Sequence, residues 1–216
     1  MRDAYHEELD SLTDKLVEMT RLVRSAISRA TTALLDSDLQ LAESVISRDA
    51  EVNAVFADIE ASIFELMARQ QPVAVDLRSV ITALRMGTDL ERMGDLAVHV
   101  AKVARLRHPD SAIPPQIRST ILEMGQIAEN IVTKAGSCVA TRDVDSALEL
   151  DQDDDAMDRL HRRLFRNILS KDWEHGVEPA IDITLIGRYY ERYADHAVRV
   201  AQDVVYLVTG SRPEKS

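Results

Sequence analysis

Apolar residues recur three and four positions apart over long stretches of this chain, the spacing that gathers them on one face of an α-helix. Leu9, Leu12, Leu16, Met19, Val23, Ala26, Ala30 and Ala33 trace such a seam, predicting a helix from about Ala4 to Leu35. Asp36-Ser37-Asp38 breaks it, and Asp38 is a good N-cap for a second helix. That helix runs through Ala42, Val45, Val52, Phe56, Ile59, Ile63 and Leu66 to Gln71-Pro72, and its seam passes through Asp49. A third is expected from about Val73 or Asp76 to Arg107. His108 to Pro115 then concentrates Pro109, Pro114 and Pro115, the composition of a linker.

Past the linker the pattern restarts. Ile117, Ile121, Met124, Ala128, Ile131, Ala135 and Cys138 form a fourth seam, and Thr141-Arg142-Asp143 ends that helix and caps the next. The fifth seam, Ala147, Leu150, Met157, His161, Leu164 and Ile168, passes through Asp154 as the second passes through Asp49. A sixth helix is expected from about Pro179 to Val208. Along the third and sixth helices an offset of about 100 positions pairs Gly87 with Gly187, Glu91 with Glu191, Arg92 with Arg192, Asp95 with Asp195, and Ala97-Val98 with Ala197-Val198. This is the signature of an internal repeat. Short connections favour antiparallel neighbours, so the chain reads as all-α, two tandem antiparallel three-helix bundles at 1–108 and 114–210. A flexible tail is expected at 211–216. Helices of about 30 residues span roughly 45 Å at 1.5 Å per residue, which predicts an elongated molecule.

Composition narrows the class. In 216 residues, 45% are hydrophobic, enough for a core, and only 4% are aromatic, which favours helix over sheet. The formal charge of −11 argues against nucleic acid and against anionic membrane surfaces as partners, because phosphate contacts need clustered Lys and Arg. Cys138 is the single cysteine, so no intrachain disulfide can form, and its place on an apolar seam marks it as a packing residue. The amino terminus has no apolar signal core, and no run of about 18 apolar residues occurs. A soluble cytoplasmic protein is expected.

Chemistry is carried by Asp89 to Asp95, D-L-E-R-M-G-D, and by its return at Glu191 to Asp195, E-R-Y-A-D. An acid pair four residues apart stands about 40° apart on one helical face. Such neighbours repel, so an arrangement made twice invites a positive partner. Asp49 and Asp154 interrupt apolar seams, where an unpaired carboxylate is costly. If the second helix faces the third, Asp49, Asn53, Glu91 and Asp95 come together, and in the repeat Asp154, Asp158, Glu191 and Asp195. Carboxylate and amide oxygens suit hard cations such as Mg²⁺, Mn²⁺, Ca²⁺ or iron. Ordinary ion pairs with Arg92, Arg192 or Lys102 would relieve the same repulsion, and spacing alone leaves both readings open.

The remaining candidates carry less. Asp158-Arg159-Leu160-His161 has no second copy to complete a di-iron bundle site, and His161 on its seam reads as a satisfied core histidine. His99 and His196 occupy non-equivalent places in the repeat, so neither is assigned as a ligand. The acids from Asp151 to Asp155 read as a solvated face, Asp154 excepted. No Gly-rich phosphate loop, nucleophile elbow or kinase signature is present.

The duplicated E-R-M-G-D-L-A and E-R-Y-A-D-H-A, with Gln71-Pro72-Val73-Ala74-Val75-Asp76-Leu77-Arg78 leading into the third helix, resemble the PhoU family of phosphate-transport accessory proteins. The likeness runs from about Tyr5 to Val208. It implies tandem three-helix bundles, metal clusters on the acidic motifs in some members, and a homodimeric cytoplasmic regulator without catalytic residues. Such a regulator restrains phosphate uptake and the starvation response, with the phosphate ABC transporter and a sensor histidine kinase as partners. Ala194 departs from the family's usual glycine and narrows the second site. The alternatives are a carboxylate-bridged metalloenzyme of the helical-bundle type and a purely structural adaptor.

Overall fold

The computed structural model describes residues 2–213, with side-chain surroundings from residue 7 onward; Met1 and residues 214–216, the end of the expected tail, lie outside it. Six helices follow one another: α1 (Arg2–Asp36), α2 (Leu39–Gln70), α3 (Val75–Arg107), α4 (Pro115–Thr141), α5 (Val144–Ile168) and α6 (Val177–Thr209). The apolar seams are their buried faces. Leu12, Leu16, Met19 and Val23 of α1 and Ile117, Ile121, Met124 and Ala128 of α4 are almost wholly buried. At about 2 kcal/mol for each large aliphatic side chain, this burial drives the assembly.

Local chemistry sets the boundaries. Asp38 accepts a hydrogen bond from Leu41 N at 2.9 Å, and Asp143 accepts from Ser146 N at 3.2 Å, so both predicted N-caps are formed. α6 stops at Gly210, whose φ of +78° suits a residue without Cβ. The proline-rich connection between α3 and α4 packs down: Ala112 and Ile113 are buried, and His108 Nδ1 lies 3.0 Å from Ser37 O.

The packing order follows from who faces whom. α2 runs antiparallel to α3, with Asp49 over Gly94 and Phe56 over Gly87. In the second half His161, which stands 105 positions after Phe56 as Asp154 does after Asp49, lies over Gly187. The halves then join along two further antiparallel seams. On one, Thr20 of α1 meets Gly136 of α4, Thr31 meets Gly125, and Asp36 pairs with Arg118. Over the first two helices of each half the repeat offset is 105, which makes Thr20 and Gly125 equivalents and likewise Thr31 and Gly136, so the first half carries threonine at both places where the second carries glycine. On the other seam α3 meets α6 through Asp89–His196, His99–Tyr189 and Arg107–Asp182.

Two buried tyrosines of α6 bind the halves together: Tyr193 Oη donates to Val23 O at 3.0 Å, and Tyr190 Oη lies 2.6 Å from Thr31 Oγ1. The repeat divides the chain in two, but one contiguous hydrophobic cluster draws on all six helices. Among the described residues no helix is long and apolar enough to cross a membrane.

Candidate functional site

The acidic motifs lie beside the buried stripe of α3 and α6, where α2 and α5 cover them. In the first half, a Cβ built on Gly94 would stand 3.2 Å from Asp49 Oδ1, so Asp49 lies over the turn joining Glu91 to Asp95. Asn53 Nδ2 donates to Asp49 Oδ2 at 3.0 Å. Burial raises the pKa of Asp49, the Asn53 hydrogen bond opposes that rise, and Asp95 adds to it. Glu91 is raised by burial and then by Asp95. Arg92 pairs with Asp95 at 2.9 Å and approaches Glu91 at 3.7 Å. Part of the repulsion is therefore met by an ion pair, as one sequence reading anticipates.

The second half is more strained electrostatically. Burial, then Asp195, Asp158 and Glu191, push Asp154 up to about 7. Its Oδ1 is buried without a hydrogen-bond partner. Asp154, Asp158 and Asp195 line a hollow of about 280 Å³ together with Asp151 and Asp155. Glu191 is raised by burial and by Asp195, while Arg188 pairs with it from one turn back. Arg188, where the first half has Thr88, thus takes the part expected of Arg192, which makes no ion pair among the described residues. Side chains lean toward a helix's N-terminus, so a glutamate three positions after an arginine bends back to meet it.

The two four-residue groupings are thus brought together as neighbours, and the donor set suits a hard cation. The fit is closest in the second half, where a carboxylate oxygen is desolvated and unpaired. Among the described residues no group of three or more His, Cys, Asp or Glu side chains is arranged so that it could hold a metal ion. His161 packs as expected but is not satisfied: its ring meets Phe165 edge-on, and its Nε2 has no hydrogen-bond partner. Burial and then nearby Arg188 lower its pKa, with Asp158 opposing them.

Sequence reasoning missed the buried charges between the halves. Asp182, Ile186, Tyr193, His196, Val200 and Asp203 share one buried face of α6. The aspartates and histidine on that apolar stripe were a legible signal. His196 Nδ1 meets Asp89 Oδ1 at 2.7 Å, and Arg107 holds Asp182 through two hydrogen bonds of 2.6 and 3.1 Å.

Fold and site together define an all-helical protein built from a duplicated three-helix unit, each unit carrying an acidic cluster between its second and third helices. The PhoU domain pattern matches the chain twice, over residues 16–104 and 121–204. The Mycobacterium bovis "Phosphate-specific transport system accessory protein PhoU homolog 2" is 47% identical over 99% of this chain and 100% of its own length. Homolog 1 of Mycobacterium leprae is also 47% identical, over 99% and 96%. The crystal structure of PhoU from Pseudomonas aeruginosa superposes with a TM-score of 0.88 at 31% identity, over 96% of this chain and 100% of that one. The chain belongs to the PhoU family.

Proposed function

We propose that this chain is a cytoplasmic, non-enzymatic regulator of phosphate uptake that works as a homodimer. It docks on the cytosolic ATPase subunit of a phosphate ABC transporter and on a sensor histidine kinase, and it restrains the phosphate-starvation response when phosphate is plentiful. The observation carrying this reading is the full-length likeness to proteins named as accessory to phosphate-specific transport. The formal charge of −11 supports docking on basic partner surfaces.

Within the same reading, Asp49, Asn53, Glu91 and Asp95 hold a cation in the first half, and Asp154, Asp158, Glu191 and Asp195 hold one in the second, with Fe, Mn or Mg as candidates. The cation would supply positive charge to carboxylates that otherwise repel. The chain's own part is to present them along facing helices, α2 with α3 and α5 with α6. A metalloenzyme is the second reading, favoured by the unpartnered Asp154 oxygen beside an open hollow. Redox turnover or phosphate release by metal-loaded protein would establish it.

The test is a pulldown with the tagged full chain from cells grown in high and in low phosphate, with metal analysis of the same sample. Retention of the transporter ATPase and the histidine kinase to different extents in the two conditions is expected. Retention of neither overturns the docking reading.

A further inference from the structure

The seam between α3 and α6 is not symmetric. Where α3 carries His99, α6 stacks Tyr189 on it, ring centroids 5.1 Å apart. The corresponding place at the other end of the seam is a cavity of about 390 Å³. Arg85 and Asp89 of α3, Arg199, Gln202 and Asp203 of α6, and Arg212 just past α6 line it. An offset of 100 turns Arg85, Asp89, Arg199 and Asp203 into Leu185, Tyr189, His99 and Val103. At the equivalent end, then, the helices are joined without these charges, so the cavity's chemistry is an addition to the repeat rather than a requirement of its packing.

Three arginines line it in a chain whose formal charge is −11. Arg212 is held in place by Asp203 at 3.4 Å and by the face of Tyr206, 5.6 Å from the ring centroid. Part of the expected tail is thus anchored at the cavity. Arg85 and Arg199 make no ion pair among the described residues, which leaves their donors available to a ligand. Asp203 is buried, and burial pushes it up to about 6, with Arg212 opposing the rise.

We propose that this cavity binds a phosphoryl group that carries a proton, either free hydrogen phosphate or a phosphate monoester. Arg85, Arg199 and Arg212 donate to its oxygens, and Asp203 accepts from its P–OH. Planar guanidinium forks match phosphate oxygens in pairs. A carboxylate among them repels an oxyanion without a proton, so the site discriminates against sulfate, which carries none at neutral pH, as an unpaired buried acceptor is costly. Arg199 and Gln202 also line the hollow beside Asp154, so the cavity adjoins the second acidic cluster. This goes beyond the regulatory reading: it is decided by binding to purified protein, and its failure would leave the docking test untouched.

The experiment is calorimetric titration of the purified, chelator-treated full chain, in phosphate-free buffer, with inorganic phosphate, AMP and sulfate in turn. Chelation removes any binding through a cation on the acidic clusters. Saturable binding of phosphate or AMP is expected, and which of the two binds more tightly names the source. Arg85→Gln and Arg199→Gln, both at exposed positions, should each weaken it on the order of tenfold, as loss of charge-assisted hydrogen bonds does. Asp203→Asn should bring sulfate affinity up toward that of phosphate. No saturable binding of either ligand at millimolar concentration, unchanged binding in the Arg85→Gln/Arg199→Gln double variant, or sulfate bound as tightly as phosphate by the unmodified chain would each overturn the proposal.

Discussion

Thr31 of α1 and Gly125 of α4 meet so closely that a Cβ on the glycine would lie 2.6 Å from Thr31 Cγ2 and 2.9 Å from its Oγ1. Alanine favours a helix over glycine by about 1 kcal/mol, whereas overpacking a filled interface costs about 1 to 3 kcal/mol. Gly125→Ala should therefore lower stability, by roughly 1 kcal/mol net, in urea denaturation. Thr31→Ala in the same chain removes both crowding atoms, although it gives up the contact with Tyr190 Oη. The double variant should lose less than the sum of the single losses. Strict additivity would show that the two residues do not press on each other.

Asp154 gives the protein a pH dependence of definite sign. Its folded-state pKa stands at about 7 against an ordinary value of 3.8. Between those values the folded chain keeps a proton that the unfolded chain has released, so stability falls as pH rises through that window. Metal-free protein carrying Asp154→Asn should show a shallower fall in stability between pH 5 and pH 8 than the unmodified chain. Asp154→Leu should be more stable than the unmodified metal-free chain above pH 7, by about 1 kcal/mol or more, because an apolar side chain suits that seam position. Asp153 instead makes a surface ion pair with Lys134, 2.6 Å away on α4, so Asp153→Leu should change stability by no more than about 0.5 kcal/mol. Equal shifts for Asp153→Leu and Asp154→Leu would contradict the register of α5.

What could be read in the sequence was whatever repeats along one helix. Period 3.6 exposes the seams, and an acid on a seam, such as Asp49 or Asp154, stands out against its apolar neighbours. Asp38 and Asp143 announce their caps because a cap acts within three residues. The docking of the halves was not legible, since nothing in the spacing of α3 says that Asp89 meets a histidine 107 positions later. Nor does anything in the spacing of α1 pair Thr20 and Thr31 with Gly136 and Gly125 of α4. Likewise the choice of Arg188 over Arg192 as partner for Glu191 depends on rotamer direction, which spacing alone does not fix.

Cation binding can be separated by halves. Glu191→Ala with Asp195→Ala should lower the metal bound to protein reconstituted with Fe, Mn or Mg, and Glu91→Ala with Asp95→Ala should lower the remainder. Helical circular dichroism should stay nearly constant, because none of the four acids belongs to the buried hydrophobic cluster. The second-half variant should also relieve Asp154, drawing its pKa downward, since Asp195 and Glu191 are among the charges that raise it. Elemental analysis showing no metal in the unmodified chain would decide for ion pairing by Arg92 and Arg188.

Loss of the gene tests the regulatory reading in the cell. A chain that restrains the starvation response should, when absent, leave starvation genes and high-affinity phosphate uptake active in plentiful phosphate. A regulator shifts a partner only if it binds the partner's two states differently, and removing it returns the partner to its own equilibrium. Docking of an acidic surface on a basic one adds a second signature, a complex that weakens as salt rises through the range where screening shortens to about 10 Å. A second homologue in the same cell would mask the effect, so every copy has to be deleted before phosphate uptake and starvation transcripts are measured. Unchanged uptake and unchanged transcripts in that complete deletion would rule out restraint and bring the metalloenzyme reading forward, because a bundle enzyme can be lost without altering either.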